Sequence, residues 1–245
     1  LSSSSSISSP LSSSSASAFV TMAAAGFSHS LALTAGGHVF SFGKNTQGQC
    51  GLGLHGATSL ADKLWPFRVR IDSQSDGRTM FVGCGYQHSL VLQSDGSAHT
   101  FGDSSLGRCG HGLGTGASNV FQARRIQSVQ VLSTTEIVDG EPPVTERKIS
   151  PAFVAASCGY YHTMLVAALD GSSSSLYACG ATKAGRLGLG PTVVTSPDEG
   201  VWEPTEVSLR HLAYGTEAAY GCPVGERKDK KGRACLLYTS PSPRD

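Results

Sequence analysis

The segment Gly43-Lys44-Asn45-Thr46-Gln47-Gly48-Gln49-Cys50-Gly51-Leu52-Gly53 decides how this chain folds, because its glycine spacing occurs three times. We call the spacing Gly-x4-Gly-x2-Gly-x-Gly the glycine motif. Its first copy is Gly43, Gly48, Gly51 and Gly53, its second is Gly102, Gly107, Gly110 and Gly112, and its third is Gly180, Gly185, Gly188 and Gly190. Self-similarity of this kind indicates a repeat architecture, in which each unit buries its apolar face against its neighbours.

A second motif precedes each copy of the first. This Gly-x-x-His motif is found at Gly26 and His29, at Gly85 and His88, and at Gly159 and His162. After each histidine comes a short run with apolar residues at every second position, then a glycine-containing turn such as Asp95-Gly96. Alternation of this period predicts half-buried strands, and the turn chemistry predicts a hairpin between them.

Each unit is therefore expected to contain about four short strands, which is the content of one propeller blade. Besides the strand that begins at the histidine, we predict strands at 39–42, 98–101 and 176–179, at 66–69, 120–126 and 204–207, and at 19–25, 80–83 and 153–156. The repeats are assigned to 19–78, 79–150 and 151–210. The predicted fold class is all-β.

The repeated residues resemble the repeats of the regulator of chromosome condensation family. The resemblance rests on the glycine and histidine before a strand, the Asp-Gly type of turn, the aromatic residue before the glycine motif, and segments such as Gly48-Gln49-Cys50-Gly51-Leu52-Gly53. The aromatic residue is Phe42 and Phe101 in two copies, but Cys179 in the third. The resemblance covers residues 19–210 and implies a propeller of seven blades, so that about three blades are expected here and the chain is expected to be a fragment.

Composition sets further bounds. The chain has 245 residues, of which 15% are charged and 30 are glycine, and its net charge of +1 does not favour an oppositely charged partner. No apolar run approaches the ~20 residues that a membrane-spanning helix needs. Seven cysteines, an odd number, favour a reducing compartment, so the expected location is intracellular, either cytoplasmic or nuclear. The serine-rich residues 1–18 are predicted to be unstructured, and 211–245 to be a degenerate or non-native tail.

Three patterns invite a catalytic or cofactor interpretation, and we favour a structural one for each. Residues 51–56 match the dinucleotide-binding spacing, but their glycines belong to a motif that recurs. Cys84 with His88, and Cys158 with His162, have a spacing that metal sites use, but the first repeat has Ala25 in place of the cysteine. The repeated histidines are expected to bond a backbone carbonyl of an adjoining turn. No catalytic, cofactor or metal residue is predicted.

The second and third repeats are separated by 15 more residues than the first and second. The surplus falls between residues 126 and 151, where Ile137, Asp139, Arg147 and Lys148 are candidates for contact with a partner. Insertions in repeat proteins map to loops on one face, often the binding face. A tolerated insertion without a function is the alternative.

Repeated structure without a unique catalytic constellation favours a non-enzymatic interaction module that binds a protein partner through its loops. The resemblance also implies an alternative, guanine-nucleotide exchange on a Ran-type small GTPase, since a protruding β element of the family's exchange factor acts on that GTPase. Nucleic-acid binding is not expected from this segment, because its basic cluster at 227–233 borders the suspect tail.

Overall fold

A computed structural model describes residues 19–54, 60–71, 77–112, 119–132, 145–149, 151–170, 173–190 and 200–208. The chain divides into two compact units, Leu1–Ser208 and Leu209–Asp245, and every described residue belongs to the first. The expectations for 1–18 and for 211–245 therefore lie outside the described residues. The described part of the chain contains fourteen strands and two single-turn 3₁₀ segments, but no α-helix.

The strands form three sheets, one for each repeat, and the four blade strands of each sheet are antiparallel. The first sheet contains, in spatial order, β1 (Val20–Ala25), β2 (His29–Thr34), β3 (Val39–Gly43) and β4 (Lys63–Arg68). The second contains β5 (Thr79–Cys84), β6 (His88–Gln93), β7 (Ala98–Gly102) and β8 (Val120–Arg125). The third contains β11 (Phe153–Cys158), β12 (His162–Asp170), β13 (Ser173–Ala181) and β14 (Gly200–Val207), followed by β9 (Ser128–Leu132) and β10 (Thr145–Ile149).

The two sequence motifs meet in every sheet at the same place. The histidine begins the second strand, and its Cα partner on the third strand is the first glycine of the glycine motif, as in the pair His29 and Gly43. These three glycines have φ values of 100°, 109° and 118°, which L-residues with a Cβ rarely adopt. The third strand ends at this glycine in the first two sheets and one residue later, at Ala181, in the third.

The hydrophobic core lies between consecutive sheets. Strand β5 contacts β1 and β2, and β11 contacts β5 and β6, so the first strand of each sheet faces the preceding sheet. One buried cluster includes Leu31, Val91 and Phe101 from the first and second sheets. Another includes Leu90 from the second sheet and Leu165 from the third. Each sheet therefore depends on its neighbours for burial, as the repeat pattern predicts.

The all-β prediction and the blade-like sheets are confirmed, and within the described residues the three sheets do not close into a ring. The number of strands differs in the third sheet, which has six. Strands β9 and β10 form a hairpin whose β9 pairs in parallel with β14, through Gln130 and Thr205. The sequence boundaries place this hairpin in the second repeat, whereas its hydrogen bonds attach it to the sheet of the third.

Candidate functional site

The histidine of the first repeat joins the first sheet to the second. The Nε2 atom of His29 lies 2.9 Å from the hydroxyl of Ser89, and that hydroxyl donates to the carbonyl of Gln49 at 2.8 Å. Because the serine proton is used on the carbonyl, the hydroxyl oxygen must accept the proton of Nε2. All three groups are buried, so the contact fixes the tautomer of the imidazole and the register of the two sheets.

The second and third sheets are joined in the same way. The Nε2 atom of His88 lies 3.0 Å from the hydroxyl of Thr163, which donates to the carbonyl of Arg108 at 2.8 Å. At Nε2 of both rings, a hydroxyl therefore stands between the imidazole and the kind of partner that we predicted, a backbone carbonyl. Sequence spacing could not show this, since the hydroxyl belongs to the following repeat.

Burial keeps these imidazoles neutral. It lowers the pKa of His29 to about 4, although a hydrogen bond to the backbone at His88 opposes the shift. Burial also lowers the pKa of His88 to about 3, and the nearby positive charge of Arg108 adds to the effect. The neutral tautomer with its proton on Nε2 makes this hydrogen bond without the burial of a positive charge.

The glycine of the Gly-x-x-His motif is explained by contact with the imidazole. An added Cβ would lie 2.4, 2.1 and 2.0 Å from the ring Cε1 atom at Gly26, Gly85 and Gly159 respectively. At Gly26 and Gly85 it would also meet the carbonyl oxygen of the corresponding glycine in the next repeat, at 2.7 Å in both cases. Any larger residue would push the ring out of the position from which it reaches the next sheet.

The later glycines of the glycine motif are packed against the next sheet. An added Cβ would meet the Phe121 ring at Gly48, the Phe101 ring at Gly51 and the backbone of Val201 and Trp202 at Gly107, all within 3.0 Å. The amide of the last glycine donates to the outer strand of the next sheet, as in the bond from Gly53 to the carbonyl of Phe121 at 2.8 Å.

Neighbouring side chains fill the space that a Cβ at Gly51 or Gly53 would need, which agrees with a structural role of residues 51–54. The rest of the dinucleotide-like segment lies outside the described residues.

The thiols beside the histidines are placed for packing. Burial raises the pKa of Cys84 to about 12 and also raises that of Cys158. The described residues hold no group of three or more His, Cys, Asp or Glu side chains that could bind a metal ion. Protonated, half-buried thiols of this kind fit small apolar residues at strand ends.

Sequence reasoning missed a row of aromatic rings at the loops between the first and second strands. The ring centroids of Phe27 and Tyr86 are 4.5 Å apart, and those of Tyr86 and Tyr160 are 4.0 Å apart in a stacked arrangement. Phe27 is 66% exposed and Tyr160 is 49% exposed, and the rings line a shallow groove together with the motif glycines. The signal was available, because the residue after the motif glycine is aromatic in all three repeats.

The β9–β10 hairpin contains the candidate partner residues that the structure describes. Glu203 of β14 anchors it: the carboxylate accepts from the Gln130 amide at 2.5 Å and pairs with the Arg147 guanidinium at 2.9 Å. Lys148 is exposed beside Glu146, with 4.0 Å between their charged groups, and Ile149 is 89% exposed. Ile137 and Asp139 lie outside the described residues.

The part of the chain that the structure describes contains no helix long and apolar enough to cross a membrane.

Comparison with known families identifies two matches, both described as regulator of chromosome condensation (RCC1) repeats, at residues 36–92 and 21–49. Among curated proteins, the chain is 30% identical over 182 residues to the human probable E3 ubiquitin-protein ligase HERC3, covering 73% of this chain and 14% of that protein. It is 27% identical over 206 residues to the ultraviolet-B receptor UVR8 of Arabidopsis thaliana, covering 81% and 39% respectively. The chain thus spans a minor part of these relatives.

Among solved structures, Prp20p from Saccharomyces cerevisiae superposes with a TM-score of 0.57 and 22% identity, covering 77% of this chain and 38% of Prp20p. Binding properties to Gsp1p and histones are described for Prp20p. At this identity the likeness concerns the fold, and it agrees with blades of the same build.

Proposed function

Since this chain belongs to the regulator of chromosome condensation (RCC1) repeat family, we propose that it acts as a non-enzymatic protein-interaction module. A propeller fold of this kind supports many unrelated functions, so the surface decides what is bound. The observation that carries the proposal is the β9–β10 hairpin, which adds two strands to the third sheet beyond the four that a blade needs.

The hairpin has the properties of a contact surface. Its attachment to Glu203 holds the backbone in place, while Lys148 and Ile149 remain open to solvent. An apolar side chain that is 89% exposed on an ordered strand has no structural role within the described residues, but it can be buried by a partner. Lys148 lies 4.0 Å from Glu146, so this apolar side chain is flanked by exposed charges of both signs.

The test is direct binding of the full chain to two purified probes, a Ran-type small GTPase and core histones, which correspond to the ligands described for Prp20p. We expect Ile149→Asp to weaken the productive interaction by at least about tenfold, equivalent to about 1.4 kcal/mol. The matched control is Val154→Asp, because Val154 is 61% exposed on β11, at the opposite edge of the same sheet. Equal losses in both variants, or none in either, contradict the proposal for this hairpin.

Guanine-nucleotide exchange on a Ran-type GTPase is the second candidate. It is favoured by the same observation, because a projecting β element is the type of structure by which the family's exchange factor acts. It predicts that micromolar amounts of this chain accelerate release of labelled GDP from the GTPase. An unchanged release rate, together with measurable binding, would support the module without exchange activity.

A further inference from the structure

The groove beside the row of aromatic rings is not used by the proposed hairpin contact. It follows the loops between the first and second strands of all three sheets, and its lining consists of three equivalent sets of residues. The middle set is Cys84, Gly85 and Tyr86, which lie in a sheet that contacts a described sheet on each side. We call this surface the aromatic groove.

The aromatic rings of the groove form a continuous cluster across the sheets. The plane of Tyr86 makes an angle of 17° with that of Tyr160 and of 47° with that of Phe27. Because of this larger tilt, Phe27 and Tyr86 cover each other's faces less completely than the nearly parallel pair does. Tyr86 is only half-buried, although a described ring lies on each side of it. The middle ring of the row therefore keeps surface that a ligand can contact.

One ring of the cluster already binds a cation. The guanidinium carbon of Arg108 lies 4.6 Å from the centre of the Tyr161 ring. Tyr161 in turn contacts the rings of Tyr86 and Tyr160 edge-on. Asp103 pairs with Arg108 at 3.0 Å, so this buried cation adds no net charge to the surroundings of the groove. The contact shows that the cluster suits a guanidinium group, which the negative face of an aromatic ring attracts.

Unpaired hydrogen-bond acceptors lie next to the glycines that line the groove. The Nδ1 atoms of His29 and His88 are buried and have no hydrogen-bond partner among the described residues. Because Nε2 of each ring carries the proton, Nδ1 presents a lone pair. Nδ1 lies against the motif glycine, since a Cβ added at Gly26 or Gly85 would be 2.7 or 2.4 Å from it.

The carbonyl oxygens of Gly85 and Gly159 add to these acceptors. Each lies 2.7 Å from the position of a Cβ added at the motif glycine of the preceding repeat, and neither accepts a hydrogen bond from a described donor. Lone pairs and carbonyl dipoles that lack donors give the groove a negative potential. No Asp, Glu, Lys, Arg or His side chain is among the residues that line the groove, so no lining charge offsets this potential.

We propose that the aromatic groove binds arginine side chains that a protein partner presents from an extended segment. A guanidinium group is a cation, which complements the unpaired acceptors, and it is planar, which allows it to stack on an aromatic ring. An extended segment fits because equivalent positions follow one another along the row. An anionic segment would be repelled by the same lone pairs, and a neutral one would leave their potential unbalanced.

This site goes beyond the hairpin contact proposed above and does not depend on it. The two surfaces share no residue, because the groove is lined by the loops between first and second strands and the hairpin is formed by β9 and β10. Loss of binding at one of them therefore leaves the other proposal standing.

The test is binding of the peptide Gly-Arg-Gly-Arg-Gly to the full chain, measured by fluorescence anisotropy. The same peptide with citrulline in place of arginine is the matched ligand, because citrulline keeps the shape of arginine and lacks its charge. Tyr86→Leu removes the middle ring of the groove, whereas Tyr86→Phe keeps it. Trp65→Leu is the control variant, because Trp65 is 75% exposed on β4 and is not among the residues that line the groove.

We expect the arginine peptide to bind the unmodified chain with a Kd below about 1 mM, at least about threefold more tightly than the citrulline peptide. Tyr86→Leu should abolish this preference, and Tyr86→Phe and Trp65→Leu should keep it within about twofold. Equal affinities of the two peptides for the unmodified chain, or no binding of either, would overturn the proposal without recourse to any variant. A preference that persists in Tyr86→Leu would place the arginine contact outside the groove and would overturn it as well.

Discussion

The first and second sheets have the same motifs but very different burial. All residues of β6 and β7 in the second sheet are buried, whereas β2 contains two half-buried residues and β3 contains only two buried positions. The local sequences are similar, and the difference is that the second sheet has a described neighbour on each side. Burial in this protein is therefore a property of the interfaces and not of the individual repeat.

The largest test of this comparison uses the aromatic residue before the glycine motif. Phe101 is fully buried and packs on Gly51, whereas its equivalent Phe42 is half-buried. We expect Phe101→Ala to lower the free energy of unfolding by about 3–5 kcal/mol. Phe42→Ala should cost about 1–2 kcal/mol, because less apolar area is lost. Urea denaturation of both variants measures the difference, and equal losses would contradict the comparison.

Acid should weaken the same interfaces. The pKa values of His29 and His88 are lowered in the fold from 6.5 to about 4 and about 3, so the unfolded chain binds protons that the folded chain does not. The contribution is complete above pH 6.5 and is lost as the pH falls toward 4, at up to about 1.4 kcal/mol per pH unit for each histidine. Denaturation at several pH values should give a shallower slope for His88→Gln, and an unchanged slope would be evidence against this role.

A smaller effect is expected at the motif glycines. At Gly26 and Gly85 a methyl group would meet both the imidazole and a carbonyl of the next repeat, whereas at Gly159 the three nearest atoms all belong to the ring of His162. We expect Gly85→Ala and Gly26→Ala to cost about 1–3 kcal/mol each, and Gly159→Ala to cost less. Thermal denaturation of the three variants gives the ranking. A larger loss at Gly159 would show that a neighbour covers it.

The smallest effect is expected at Ser30, whose hydroxyl has no described histidine donor. Its equivalent Ser89 provides the comparison. Ser89→Ala removes the acceptor of a buried histidine and the donor to Gln49, and should cost about 1–3 kcal/mol. Ser30→Ala, the equivalent change in the first sheet, should stay within about 0.5 kcal/mol. Urea denaturation of both variants measures the two costs, and a loss at Ser30 as large as that at Ser89 would argue against the role of the histidine contact.

Much of the fold could be predicted from the sequence because the information is local. The histidine, the turn glycine of Asp95-Gly96 and the glycine motif each fix the start, reversal or end of a strand through the few residues around them. The strand bounds consequently fall within a few residues of those predicted.

The remaining features are non-local. The partner of His29 is Ser89, 60 residues along the chain, and the anchor of Gln130 is Glu203, 73 residues along. Spacing within one repeat carries no information on which side chain of another repeat is met. The sequence placed the candidate partner residues Arg147 and Lys148 in an insertion, but it did not indicate which sheet the insertion joins. Their role in binding remains a prediction.

The hydrogen bond from each histidine to a hydroxyl of the next repeat has a consequence for how such proteins can diversify. The donor lies in one repeat and the acceptor in the next. Duplication of a repeat within this chain therefore adds the same hydrogen bond at each new junction, without any further change of sequence. Recombination between unrelated repeats succeeds only if the incoming unit brings a serine or threonine directly after its histidine. The pair at His88 and Thr163 shows that either hydroxyl serves, so the exchangeable unit is defined by its junction residues and not by the sheet that it forms.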